Sequence, residues 1–191
     1  MSQTETGMVD MFAGTMHVPP RPKALTDDQR RVIAADLVDR VIKTGTLGPS
    51  DRDEAIEDVI KATRWCSDGY EIAKALDDDN GWMCDAEVVA ILDDFGVEKS
   101  GALRESVKAW VVHFGIAARF LVGQRIIAYD GTEQAFRGVV DDIRAEFAEY
   151  AVKIDGDPRA EPPTNSRRIV AFEDCVAARL DDQAEEAPSC A

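Results

Sequence analysis

The sequence is poor in basic side chains. Its 22 lysine and arginine residues face 37 aspartate and glutamate residues, for a formal net charge of −15. Because binding to a phosphate backbone depends on clustered lysine and arginine, this balance disfavours direct contact with nucleic acid. A protein with a basic surface, or a cation, is the more natural partner. The simpler interpretation is that the charge only keeps the protein in solution.

Histidine and paired cysteine are also scarce. The two histidines, His17 and His113, are isolated, and no CxxC pair occurs. The four cysteines are Cys66, Cys84, Cys175 and Cys190. Zinc sites usually show close pairs of these residue types, so we expect no metal ligand and no cofactor. Buried thiols in a reducing compartment are the expected state of the cysteines.

Long apolar runs and catalytic motifs are missing as well. The first residues lack the charged start and apolar run of a signal peptide, and the most apolar stretch, Ala109–Gly123, is too short to span a bilayer. We therefore expect a cytoplasmic protein that does not contact a membrane. Neither a glycine-rich nucleotide motif nor a nucleophile elbow is present, so the sequence assigns no catalytic residue. The excess of arginine (15) over lysine (7) favours a bacterial or phage genome.

The first segment, residues 1–25, has no sustained period and carries the run Pro19-Pro20-Arg21-Pro22. Such a segment is typical of a flexible arm. Four of its residues are large and apolar, and they are alternative candidates for docking onto a partner: Met8, Met11, Phe12 and Met16.

Residues 26–120 show apolar stripes at helical spacing, separated by short loops, which predicts a helical domain. A capping box, Thr26 with Gln29, opens the first helix. Five helices are predicted in all, with a glycine, Gly96, ending the fourth. Their predicted caps are Thr26, Ser50, Ser67, Asp85 and Ser100.

The pattern changes after residue 120. Four short β-favouring runs separated by turns predict a small barrel over residues 121–175. Their rhythm, "VGQRI", "FRGVVDDI", "EYAVKIDG" and "RRIVAFEDC", resembles SH3-like barrels, which usually bind or scaffold. The alternative is a mostly α protein with a long helix over 132–154, which Gly138 disfavours by about 1 kcal/mol. Residues 176–191 read as an acidic tail. The expected class is therefore α+β.

Two acidic motifs are candidates for metal binding. A calcium loop with Gly81 at its sixth position places Asp78 and Glu87 at ligand positions, but puts Leu76 at the first, where a carboxylate is needed. Glu54 and Glu57 share a helix face, as in the ExxE half of helical nucleotide pyrophosphatases. Lys74 stands where the second half of that motif requires an acid. Solvated helix faces explain these acids better, so no metal site is predicted.

The three tryptophans are the most suggestive side chains. Trp65 and Trp110 lie on or beside apolar stripes and are predicted to be core. Trp82 follows Asn80-Gly81, so it is predicted to anchor an interface from an exposed loop, unless it folds back over the helix ends.

Together these features predict a non-catalytic protein–protein interaction protein, such as an adaptor, assembly or regulatory factor. The first alternative is an acidic inhibitor that mimics nucleic acid and blocks a basic groove on its target. The second is a metal-dependent hydrolase.

Overall fold

The computed structural model describes residues 18–45, 51–66, 68–129, 134–161 and 166–178. In these residues four helices precede five strands, which confirms the α+β class. The helices are α1 Asp27–Thr44, α2 Arg52–Ala62, α3 Gly69–Asn80 and α4 Ala86–Phe114. The strands are β1 Arg125–Tyr129, β2 Ala135–Arg144, β3 Glu149–Ile154, β4 Arg168–Ala171 and β5 Cys175–Ala177.

The fourth and fifth predicted helices are one helix, so the prediction of five is wrong. α4 runs for 29 residues without a break at Gly96. The Ser100 hydroxyl does not cap a new helix; it donates to the Gly96 carbonyl oxygen at 2.8 Å. A glycine inside a helix costs only about 1 kcal/mol, and the apolar stripe of α4 continues on both sides of it. Packing along that stripe outweighs the local signal to stop.

The helix starts follow the expected capping chemistry. The Thr26 hydroxyl and the Gln29 side chain form the predicted capping box at α1, and the Asp85 carboxylate accepts from two amides at the start of α4. α2 and α3 are capped by Asp51 and Asp68, each one residue after the predicted serine.

The four helices bury one core between them. It consists mainly of aliphatic side chains from the predicted stripes, among them Leu37, Val59, Ile72, Leu76 and Leu92. Phe95 and Trp82 are its large aromatic members. α4 packs against both α1 and α3, and α2 packs against α1.

The strands form one antiparallel sheet in the order β4-β3-β2-β1-β5. The sheet is not closed into a barrel, so the predicted SH3-like closure is not confirmed. Between β4 and β5 the chain forms a 3₁₀ turn, Phe172–Asp174, instead of continuing a ladder. Because β2 and β3 pair side by side across residues 138–154, the alternative long helix over 132–154 is wrong.

The sheet must nevertheless curl strongly. In a flat sheet its outer strands would lie about 19 Å apart, since neighbouring strands are spaced about 4.8 Å. β4 and β5 are joined by only the three residues of the 3₁₀ turn, which spans about 6 Å at 2 Å per residue. The two edges therefore approach each other. The second core fills the inside of the curl, with Tyr150, Phe172, Val140, Val152 and Ile126 among its members.

The two cores meet along α4 rather than at the predicted boundary near Leu121. Val88, Leu92 and Phe95 of this helix lie in the helical core, whereas Val107 and Val111 lie in the sheet core. The predicted tail also begins too early, because β5 pairs with β1 as far as Ala177.

Candidate interaction surface

Trp65 is the most exposed large apolar side chain of the described residues, with 91% of its surface open to solvent. The prediction that it belongs to the core is wrong. α2 ends at Ala62 with Thr63 as its C-cap, so the helical period no longer applies two residues later. The sequence held a signal of this, because Trp65 falls off the stripe that runs through Ile56, Val59 and Ile60.

A groove of about 440 Å³ lies beside this indole. Its walls are the last turn of α2, the residues that follow it, and the last turns of α3. We call it the Trp65 groove, and it is formed by Lys61, Ala62, Trp65, Cys66, Ala75, Asp79 and Asn80.

The buried carboxylate of Asp58 holds the two walls together. Asp58 is only 4% exposed, and it accepts hydrogen bonds from Asn80 Nδ2 at 2.7 Å and from Trp82 Nε1 at 3.4 Å. These bonds tie α2 to the end of α3 and to the loop that follows. A buried carboxylate is costly unless it is hydrogen-bonded. Folding of the core therefore requires these bonds, and they fix the position of α2 relative to the end of α3.

Trp82 is therefore not an exposed anchor, and that prediction is wrong. Its side chain is 5% exposed and belongs to the helical core. The alternative, folding back over the helix ends, is confirmed. The reason is the Asp58 acceptor, which lets the indole N–H enter the core with a partner.

The thiol within the groove is not an activated nucleophile. Burial raises the pKa of the Cys66 thiol, and the nearby Glu71 and Asp68 carboxylates raise it further. A nucleophilic cysteine needs the opposite shift, because the thiolate is the reactive form. Cys66 therefore contributes shape and apolar surface to the groove.

The acidic residues of the two candidate metal motifs do not converge on one point, and some of them make other contacts. Five residues, 81–85, separate α3 from α4, whereas a calcium loop of the EF-hand type needs about twelve. Asp77 accepts from the Cys84 amide at 2.9 Å, and Glu57 pairs with Arg31. Within the part of the chain that the structure describes, no three His, Cys, Asp or Glu side chains are grouped to hold a metal ion.

Arginines engage several carboxylates on α1 and α4. Arg40 pairs with Asp94, with Glu98 at 3.2 Å and with Asp36 at 3.8 Å. Partial burial raises the pKa of the Glu98 carboxyl, and the Asp36 carboxylate acts in the same direction. This face of the helical layer is therefore a mixed ionic network rather than a purely anionic surface.

The apolar residues of the predicted arm, Met8, Met11, Phe12 and Met16, lie outside the described residues. Pro19, Arg21 and Leu25 contact the rest of the fold, so the predicted flexible arm does not extend to residue 25. Pro19 accepts from Trp110 Nε1 at 3.0 Å, and Arg21 donates to the Ala148 carbonyl oxygen and pairs with Glu149. These contacts tie the segment to α4 and to the sheet.

Comparison of this chain with protein-family models, with curated proteins and with solved structures gives no match. Its function therefore has to be argued from the groove and its surroundings. No helix among the described residues carries an apolar stretch that would cross a bilayer.

Proposed function

We propose that this chain is a non-catalytic protein–protein interaction protein that binds its partner through the Trp65 groove. The observation that carries the proposal is an indole 91% exposed at the rim of a preformed groove. Tryptophan is enriched among the residues that dominate binding energy at interfaces. An apolar ring of this size gains about 1.5–3 kcal/mol or more when a partner covers it.

The rigidity of the groove supports the same proposal. Asp58 ties α2 to the end of α3 through its hydrogen bonds to Asn80 and Trp82, so these two elements need little ordering when a partner binds. Binding surfaces that are preorganised lose less conformational entropy on association. A preformed site for a side chain is therefore better explained by recognition than by chance exposure.

The other sequence-based expectations belong to this proposal and add detail to it. An adaptor, assembly or regulatory role, a cytoplasmic location and a bacterial or phage source all remain parts of it. An SH3-like arrangement of the sheet is supported by the strand order and by the 3₁₀ turn between β4 and β5. No specific observation favours the nucleic-acid mimic or the hydrolase, since arginines engage several of the carboxylates on α1 and α4.

The test compares Trp65→Ala with a matched control, Tyr70→Ala. Tyr70 is 68% exposed and lies at the start of α3, outside the groove. Each protein is used to capture partners from cells of the native host, and the captured proteins are quantified by mass spectrometry. Trp65→Ala should reduce one partner by at least about thirtyfold, the effect of losing about 2 kcal/mol at a binding hot spot. Tyr70→Ala should retain that partner.

A circular dichroism spectrum identical to that of the wild type would show that Trp65→Ala leaves the fold intact. If both variants then capture every partner equally well, the groove is not the binding site. A third variant, lacking residues 1–17, keeps the packed Pro19 and Arg21 and tests whether Met8, Met11, Phe12 and Met16 contribute. Loss of the partner only in that variant would transfer the binding site to the arm.

A further inference from the structure

We infer that the Trp65 groove receives an arginine side chain from a basic segment of the partner. In this arrangement the guanidinium stacks on the indole of Trp65 and directs its charge toward Asp79. The inference rests on the proposed function, because it names the chemistry of the partner at the same groove.

The ends of two helices give the groove a negative character. α2 ends at Ala62 and α3 ends at Asn80, and both residues line the groove. The last carbonyl groups of a helix lack partners within it, and they carry the negative end of the helix dipole. Because two helix C-termini border the groove, their dipoles favour a positive group there.

The side chains at the groove add to this. Asp79 is exposed at the rim, and in the described part of the chain no cation pairs with it. Lys61 is the one basic residue of the groove, and its Nζ lies 3.7 Å from Asp58 Oδ1. The buried Asp58 carboxylate offsets that charge, which leaves Asp79 to attract a cation.

The wider surroundings point the same way. Residues 51–80, which form both walls, contain ten acidic and four basic side chains. This excess of negative charge would repel an acidic segment of the partner. It would attract a basic segment before contact and would orient that segment toward the groove.

Arginine fits these features better than lysine or an aliphatic side chain. Its planar guanidinium stacks on an aromatic face and still presents N–H donors at its edge. Those donors match the Asp79 carboxylate at the groove. A lysine offers a compact charge without a face to stack, and an aliphatic side chain leaves Asp79 without a donor.

The experiment is a titration of the full chain, labelled with ¹⁵N, by an arginine-rich peptide, following the indole N–H signals of the three tryptophans. Trp65→Phe identifies the Trp65 signal by its loss. The same peptide with citrulline in place of arginine keeps the shape and removes the charge. At fixed ionic strength, the arginine peptide should shift the Trp65 signal in a saturable way, and the citrulline peptide should not.

Three variants locate the contact. Trp65→Leu keeps apolar surface but removes the aromatic face, and it should weaken binding about two- to thirtyfold, the range of a cation–π contact. Asp79→Asn should weaken it about two- to fivefold, as expected for a surface ion pair. Asp78→Asn changes the net charge equally, but Asp78 does not line the groove, so its effect should be smaller.

Three results would overturn the inference: equal binding of the citrulline peptide, equal effects of Asp79→Asn and Asp78→Asn, or no effect of Trp65→Leu. Failure here is separable from failure of the proposed function. If Trp65→Ala loses a host partner while the arginine peptide does not bind, the groove is an interface for a different side chain. If the arginine peptide behaves as expected but no host partner depends on Trp65, the groove binds arginine but is not the interface for a host partner.

Discussion

The two halves of this molecule are held together in different ways. The helical core is mostly aliphatic, and its members recur every three or four residues along each helix. The sheet core is built around an aromatic group in which Tyr150 lies 4.3 Å from Phe172 and 5.9 Å from Phe120, ring centre to ring centre. Local periodicity therefore places most members of the first core, with Trp82 as an exception. The second exists only when distant segments meet.

Removing one large aromatic ring from each core tests this difference most strongly. Phe95→Ala and Tyr150→Ala should each lower the free energy of unfolding by about 3–5 kcal/mol, as large truncations in a packed core do. Tyr150→Ala should be the more severe, because its hydroxyl oxygen also accepts from the amides of Arg119 and Phe120, each at 2.9 Å. Urea denaturation measures both losses.

Hydrogen exchange on the same two variants shows whether the cores are independent. Tyr150→Ala should lower the protection of β2 and β3 amides more than that of α1 and α2 amides, and Phe95→Ala should do the reverse. If every amide loses the same protection in both variants, α4 joins the two cores into one cooperative unit and the comparison fails.

Glycine-to-alanine substitutions form the second test, because among the described residues each half contains a glycine that lies close to neighbouring backbone. A Cβ at Gly69 would lie 2.4 Å from the Val89 carbonyl oxygen on α4, and a Cβ at Gly138 would lie 2.4 Å from the Lys153 carbonyl oxygen on β3. Each substitution should destabilise by about 1–3 kcal/mol, as overpacking does. Gly138→Ala should cost more, since β2 is bonded on both sides while α3 can shift as a whole.

Gly101 supplies the control for that pair. It lies on α4 with open space around its Cβ position, so Gly101→Ala should stabilise by about 0.5–1 kcal/mol through its higher helix propensity. Thermal unfolding of the three variants gives the order of their stabilities. A loss of stability in Gly101→Ala, or an unchanged Gly69→Ala, would show that the packing at these glycines is looser than described.

The last test is the response to alkaline pH of two thiols, the partly buried Cys84 and the buried Cys175. Burial raises the pKa of Cys84, in the helical half, to about 12 and that of Cys175, in the sheet half, to about 11. An exposed thiol has a pKa near 8.5. As the pH rises, the thiols of the unfolded chain therefore ionise first, and their ionisation stabilises the unfolded state. Stability from these thiols is full below about pH 8.5 and is lost as the pH rises toward 11–12.

Thiol labelling in a background of Cys66→Ser and Cys190→Ser reads the two halves separately. Cys84 and Cys175 should both label slowly at pH 8, each at a rate set by the opening of its own half. The cysteine in the less stable half should label first. Rapid labelling of both, at the rate of a free thiol, would show that neither is protected.

Much of the fold is predictable from the sequence because it depends on neighbours along the chain. The capping box at Thr26, the cap at Asp85 and the apolar stripes rest on contacts within a few residues. The same holds for β1 and β3, where alternation and turn residues suffice. The predicted helix break at Gly96 and Ser100 is wrong because their local preference to end and start a helix is weak compared with the packing of α4 against α1 and α3.

The candidate site was predicted less well, for the same physical reason. Whether a tryptophan is buried depends on what surrounds it, and the acceptor for Trp82 is Asp58, 24 positions earlier in the chain. Trp65 is predicted to be core because it lies beside an apolar stripe, yet its exposure depends on where α2 ends. The segment around Trp82 carries no sign of its acceptor, and the one local sign for Trp65 is that it falls off the apolar stripe of α2.

By itself, then, the amino-acid sequence determined the α+β class, the acidic balance and most helix and strand positions, since these follow from composition and from interactions between near neighbours. Only the tertiary structure decided that one helix serves both cores and that the sheet curls without closing. The tertiary structure also decided that Trp65 is exposed and Trp82 is buried, the reverse of the prediction. Each of these depends on contacts between residues far apart in the chain, where a buried partner or a neighbouring element outweighs local preference.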